Sequence, residues 1–240
     1  MGPRTIRYGD DASQFAELSV PDGPPRGLVV VIHGGFWKAE YDLSLGRPLA
    51  ADLAGHGWAA LNVEYRRVGP AGSGGGGGVP ETLDDVRSAI GSLSETSLGL
   101  GRVVTLGHSA GGHLAAWAGG AVDVVTHVVA QAGVLDLVAA DRDGLGGGAV
   151  RRFLGHRAGP DDAGVDPRQQ LPLDVPVWCV HATGDDTVPI SQSRDYVAAA
   201  TAAGARAEVV EVPGDHYAVI DPGSVAWRTT RAILDGLREA

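Results

Sequence analysis

Apolar residues in this chain gather into short continuous runs, separated by longer stretches where they recur every three or four positions. Leu28-Val29-Val30-Val31-Ile32 is the clearest run, and its lack of polar alternation predicts a strand covered on both faces. Similar runs occur at Trp58-Ala59-Ala60-Leu61-Asn62-Val63, Val103-Val104-Thr105-Leu106, Val124-Val125-Thr126-His127-Val128-Val129, Val177-Trp178-Cys179-Val180 and Ala207-Glu208-Val209-Val210-Glu211-Val212. Ile6 to Tyr8 and Glu17 to Val20 read as short opening strands. Helices are expected over Leu43 to Gly55, from Pro80-Glu81-Thr82-Leu83-Asp84-Asp85-Val86 onward, after Gly111, over Ile190 to Ala203 and over Val225 to Leu237. Pro80 and the acids after it suit a first helical turn, where the missing N–H costs nothing and the dipole favours negative charge. Regular alternation of buried strands and helices predicts an α/β fold, a mostly parallel twisted sheet with helices on both faces. Residues 135–174 break the rhythm with Gly, Asp and Arg. They hold too few apolar positions for a core of their own, so a small cap-like excursion over the sheet edge is expected within one domain spanning 1–240.

Composition narrows the function classes. A chain of 240 residues, 44% hydrophobic and 20% charged, suits one compact domain. A formal net charge of -10, with no basic run, argues against a nucleic-acid partner. The single cysteine, Cys179, lies inside an apolar run and reads as a buried strand residue. The N-terminus carries no apolar leader, and no stretch reaches the ~20 apolar residues of a membrane span, so a soluble cytoplasmic protein without a membrane partner is expected. Glycines 74 to 78 lack a following Gly-Lys-Ser/Thr and read as a flexible loop. Asp84-Asp85 belongs to a helix start, and neither His-Glu-x-x-His nor a cysteine pair occurs, so no metal and no cofactor is expected.

Candidate chemistry lies at the strand ends. Ser109 sits in Gly107-His108-Ser109-Ala110-Gly111, between an apolar run and a helix-like stretch. A serine on such a sharp turn is exposed as a nucleophile above the carboxyl edge of a parallel sheet. With 37 glycines in the chain the pentapeptide alone is weak, and its neighbours decide. His33-Gly34-Gly35-Phe36-Trp37 follows the first core strand, and its glycines can turn backbone N–H groups toward a developing negative oxygen. The Cys179 strand leads into His181-Ala182-Thr183-Gly184-Asp185-Asp186-Thr187-Val188-Pro189, and the Val209 strand into Pro213-Gly214-Asp215-His216-Tyr217. Ser, Asp and His thus follow in order on separate strand-loop junctions. His216 can act as the base; Asp185 and Asp186 both lie on a loop that can orient it. Asp215 is excluded because adjacent residues seldom align their side chains into a relay. The N–H groups of Gly35, Phe36 and Ala110 are candidates for binding the anionic oxygen, each donor contributing about 3 kcal/mol.

These motifs closely resemble the α/β-hydrolase superfamily over nearly the whole chain. Together, the His33, Ser109 and Asp185 motifs resemble its small carboxylesterase and kynurenine formamidase (arylformamidase) branch. The resemblance implies an α/β-hydrolase fold with a minimal cap. It also implies Asp185 as the acid, because in that branch two residues separate the acid from Val-Pro; and it places the oxyanion donors at Gly35 and Phe36.

Other residues near these motifs take supporting parts. Trp37, His108 and Tyr217 are candidates for the substrate pocket; His33 is expected to shape its turn; His113 and His181 are read as structural neighbours. Glu64-Tyr65-Arg66-Arg67 is read as a group tying down its loop. The leading function is hydrolysis of small carboxylic esters through an acyl-enzyme, on small-molecule substrates. The alternatives are arylformamidase action on N-formylkynurenine-like amides and, in another class, a ligand-binding receptor with little turnover. Peptidase action is disfavoured because related oligopeptidases carry a large extra domain. The polar character of 135–165 favours short acyl groups over a lipase lid.

Overall fold

The structure, a computed structural model, describes residues 2–96, 98 and 101–237. Eight strands form one sheet in the order β1-β2-β4-β3-β5-β6-β7-β8. They are β1 (Arg4–Arg7), β2 (Phe15–Ser19), β3 (Leu28–Ile32), β4 (Ala59–Val63), β5 (Val103–His108), β6 (His127–Gln131), β7 (Val177–Ala182) and β8 (Ala207–Val212). β1 and β2 join antiparallel at one edge, while β4, β3, β5, β6, β7 and β8 run parallel.

Side chains alternate across each strand and divide the core in two. Leu28, Val30 and Ile32 face a cluster with Leu83, Val86, Leu114, Trp117 and Tyr196. Those partners come from α2 (Glu81–Gly91), α3 (Ala110–Ala121) and α6 (Ser191–Ala202). Val29 and Val31 face the opposite cluster with Leu49, Leu53, Trp227 and Leu234, supplied by α1 (Arg47–Gly55) and α7 (Val225–Gly236). All five residues of β3 are buried, as its continuous apolar run predicts. The fold is therefore the α/β-hydrolase type, with helices on both faces.

Several elements differ from the expected bounds. The helix expected from Leu43 divides into a 3-10 turn, Leu43–Leu45, and α1 beginning at Arg47, with Pro48 at its second position. Proline fixes φ without needing an intrahelical N–H there, so the helix restarts at that point. The strand expected from Val124 starts only at His127. Residues 135–174 contain α4 (Leu137–Arg142) and α5 (Leu145–Leu154). Their buried Leu137, Ala140, Val150 and Phe153 join the larger core cluster. Few apolar residues suffice because the segment packs on α3: Trp117 Nε1 donates to Gly164 O at 3.0 Å.

Candidate active site

The turn after β5 puts Ser109 at φ 56°, ψ -118°, a strained conformation for a residue with a side chain. Its neighbours explain why the turn can be so tight. A Cβ on Gly107 would collide with Gly111 O, and one on Gly111 with Ile32 O, so strand, turn and helix approach as closely as they do only without those side chains. The N–H of Ser109 donates to Gln131 O at 2.8 Å, tying the turn to β6.

The loops after β7 and β8 bring a carboxylate and an imidazole together. His216 Nδ1 lies 2.7 Å from Asp185 Oδ2, and both side chains are buried. Asp185 Oδ1 accepts the N–H groups of Thr187 and Val188, each at 2.9 Å. Burial works to raise the Asp185 pKa, but hydrogen bonds from His181, His216 and the Val188 N–H outweigh it and hold the carboxyl well below the usual range. Asp186 is exposed and accepts from the Thr187 hydroxyl at 3.2 Å. Asp215 accepts from the N–H groups of Tyr217 and Ala218, both at 3.0 Å, and so shapes its own loop.

The turn after β3 forms the facing wall. Gly35 has φ 110°, followed by Phe36 at 52° and Trp37 at 54°, three positive values in succession. A Cβ on Gly35 would run into the Tyr41 ring. Among the described residues no backbone hydrogen bond uses the N–H of Gly35, Phe36 or Ala110. The strain is held from below by buried polar groups. His33 Nδ1 lies 2.8 Å from Gly34 O, and His33 Nε2 lies 3.2 Å from Glu64 Oε1. Glu64 also accepts from the Leu43 N–H at 3.0 Å and pairs with buried Arg67. The Tyr65 hydroxyl donates to His33 O at 2.8 Å, with the two rings stacked. Burial, helped by the Arg67 charge, pushes the His33 pKa down to about 3.

A cavity of about 30 Å³ joins the two walls, with Gly35, Phe36, His108, Ser109, His216 and Tyr217 on its surface. Tyr41, Leu45 and Thr187 complete it; Thr187 belongs to the Asp185 loop, while nothing in the local sequence of Tyr41 or Leu45 marks them for this place. His108 Nε2 lies 2.9 Å from His216 O, and burial, then the neighbouring His216, lowers its pKa to about 3. Trp37 is the exception among the expected pocket residues. It is fully buried in the core, stacked on Phe153 at 4.5 Å, because the positive φ at Phe36 and Trp37 turns the indole inward. A larger hollow of about 510 Å³ opens around Thr126, His127, Trp178 and Arg206, and no residue of the Ser109 group reaches it. Among the described residues no cluster of three or more His, Cys, Asp or Glu is placed to hold a metal ion, and no helix is long and apolar enough to cross a membrane.

Known proteins are similar to this chain in sequence and fold. The BD-FAE family model matches residues 20–126, and the model of the prolyl oligopeptidase family matches residues 80–235, more than half of the chain. Esterase LipC of Mycobacterium tuberculosis is 28% identical over 243 residues, covering 88% of this chain and 58% of that protein. Kynurenine formamidase avaC of Aspergillus versicolor is 34% identical over 104 residues, covering 40% of this chain and 37% of its own. The chain thus spans less than two thirds of the length of these curated relatives. Among solved structures, a thermophilic esterase from the planctomycete Thermogutta terrifontis superposes with a TM-score of 0.76 at 25% identity, over 98% of this chain and 90% of its own. A truncated carbohydrate esterase from gut microbiota, 19% identical with a TM-score of 0.78, shares the fold. The chain belongs to the prolyl oligopeptidase family, has the α/β-hydrolase fold, and is similar to esterases and to a kynurenine formamidase.

Proposed function

We propose that this protein is a serine hydrolase that cleaves small carboxylic esters through an acyl-enzyme. Ser109 is the nucleophile, His216 the general base and acid, and Asp185 the carboxylate that orients the imidazole. The observation that carries this reading is the 2.7 Å contact of His216 Nδ1 with Asp185 Oδ2, beside a strained Ser109 in the same cavity. With its Nδ1 proton donated to Asp185, His216 keeps the Nε2 lone pair free to take the Ser109 proton. The serine oxygen adds to the carbonyl; the resulting oxyanion accepts from the N–H groups of Gly35, Phe36 and Ala110; and His216 returns the proton to the leaving alcohol. Water, activated by the same imidazole, then releases the acid.

Substrate size follows from the walls. Tyr41 and Leu45 narrow a cavity of only about 30 Å³, which fits formyl or acetyl far better than a long chain. The same small acyl space favours a second reading, arylformamidase action, which gains support from the stretch shared with kynurenine formamidase avaC. Residues 135–174 serve in either case as a minimal cap, with Gly146 against the Phe36 ring. Esterase names among the relatives, LipC and the Thermogutta enzyme, favour esters over peptides.

A turnover panel tests both readings: p-nitrophenyl acetate, butyrate and decanoate beside N-formylkynurenine, each with Ser109→Ala as control. Acetate is expected to turn over well and decanoate poorly, with Ser109→Ala inactive on all. Equal rates for acetate and decanoate would overturn the short-acyl reading, and an active Ser109→Ala would overturn the nucleophile.

A further inference from the structure

We propose that His181 is a positioning residue that sets Asp185 for catalysis, an inference that rests on the triad reading above. His181 lies on β7, four residues before Asp185, and both side chains are fully buried. Its Nε2 is 2.9 Å from Val188 O and 3.4 Å from Asp185 Oδ2. Both neighbours are acceptors, so Nε2 carries the proton. That leaves Nδ1 as the acceptor, and the Ser193 hydroxyl donates to it across 2.7 Å. Ser193, on α6, therefore fixes which tautomer His181 adopts.

The consequence is a closed loop of restraints around one carboxylate. Val188 gives its N–H to Asp185 Oδ1 at 2.9 Å and its carbonyl to His181. His181 therefore pins the far end of the Asp185–Val188 turn, and the same N–H edge faces the oxygen that His216 shares at 2.7 Å. An apolar side chain at 181 would leave Val188 O buried without its donor and Asp185 free to swing. A group held this way controls the position of His216 without touching substrate. Misplacement by a fraction of an ångström reaches the chemical step rather than binding.

The test compares His181→Leu, His181→Gln, Ser193→Ala, Asp185→Asn and the His181→Leu/Asp185→Asn double variant on p-nitrophenyl acetate, with kcat, KM and Tm for each. His181→Leu is expected to lower kcat about tenfold or more with KM within about twofold, as loss of a hydrogen bond to a charged group predicts. His181→Gln, whose amide N–H takes the place of Nε2–H, is expected to recover kcat to within about threefold. Because His181 acts through Asp185, the Leu substitution added to Asp185→Asn should cost less than about twofold more. A full loss in both backgrounds, or no loss in the first, overturns the proposal. Should His181→Leu fail to fold, Ser193→Ala decides: about a threefold fall in kcat that vanishes in the Asp185→Asn background supports the role, and an unchanged kcat overturns it. Ser109→Ala, run alongside, separates the two levels, since full activity there sinks the triad while leaving the His181 result to be read as structural.

Discussion

The two walls around Ser109 are held by different physics. On one side a charged group is satisfied by donors: Asp185 accepts from Thr187, Val188 and His216, and each partner lies within a few residues of a core strand end. On the other side the backbone itself is bent out of its ordinary range, with positive φ at Gly35, Phe36 and Trp37. Within the turn Lys38 N–H donates to Gly35 O at 3.0 Å, and beneath it lies a buried polar group, His33, Glu64 and Arg67, contributed by the loops after β3 and β4. A side-chain-held wall should lose chemistry when one atom changes. A backbone-held wall should lose stability along with chemistry.

Substitutions can break that contrast. Asp185→Asn keeps the shape but offers the imidazole the wrong partner, and should lower kcat roughly 10⁴-fold, while exposed Asp186→Asn stays within about threefold. Equal losses in steady-state kinetics would erase the difference between the two carboxylates. Gly35→Ala forces a side chain against Tyr41 at a positive φ, and should cost about 10²–10³ in kcat if its N–H is the proposed oxyanion donor. Glu64→Gln leaves Arg67 buried without its counter-charge and should lower the unfolding free energy by about 3–5 kcal/mol in urea titrations. An unchanged urea midpoint would mean that the turn is not held from below.

Acid pH probes both walls at once. Burial lowers the pKa of His33 and His108 to about 3 and of His113 to about 4. In the unfolded chain these groups titrate near about 6.5, so below that pH the unfolded state binds more protons and stability falls. The full contribution is present above about pH 6.5 and is lost toward the folded values, at about 1.4 kcal/mol per pH unit for each histidine. His33→Gln and His108→Gln should each remove one proton's share of that slope. A slope unchanged in either would show that the ring is already charged in the fold. The smallest effect is expected at Trp37→Phe: the indole packs on Phe153 away from the cavity, so KM should move by less than about twofold, with the cost appearing in Tm.

How far the chain could be read in advance follows the same division. The β3 run, the Ser109 turn and the order of Ser, Asp and His were legible because each is a local pattern whose geometry is set by neighbours in sequence. Asp185 and Asp186 could not be separated by residue type or position alone, since both sit on one loop and only the folded turn decides which faces inward. Leu45 gives no sign because it reaches the cavity from a 3-10 turn that the helical pattern conceals, and Tyr41, just before that turn, belongs to no local pattern at all. The place of Trp37 after a glycine turn points it toward the pocket; with a left-handed backbone there, it lies buried in the core instead. The excursion at 135–174 has too few apolar residues for a core of its own, and it packs on the surface of α3 instead.

In the proposed mechanism the Asp185–His216 pair activates Ser109. Paraoxon, which transfers its phosphoryl group to an activated nucleophile, tests it most directly through p-nitrophenol release and peptide mass mapping. One p-nitrophenol per chain, a single adduct on Ser109 and a release slowed by orders of magnitude in Asp185→Asn are predicted. Stoichiometric release from Ser109→Ala, or an adduct on any other residue, would contradict the account.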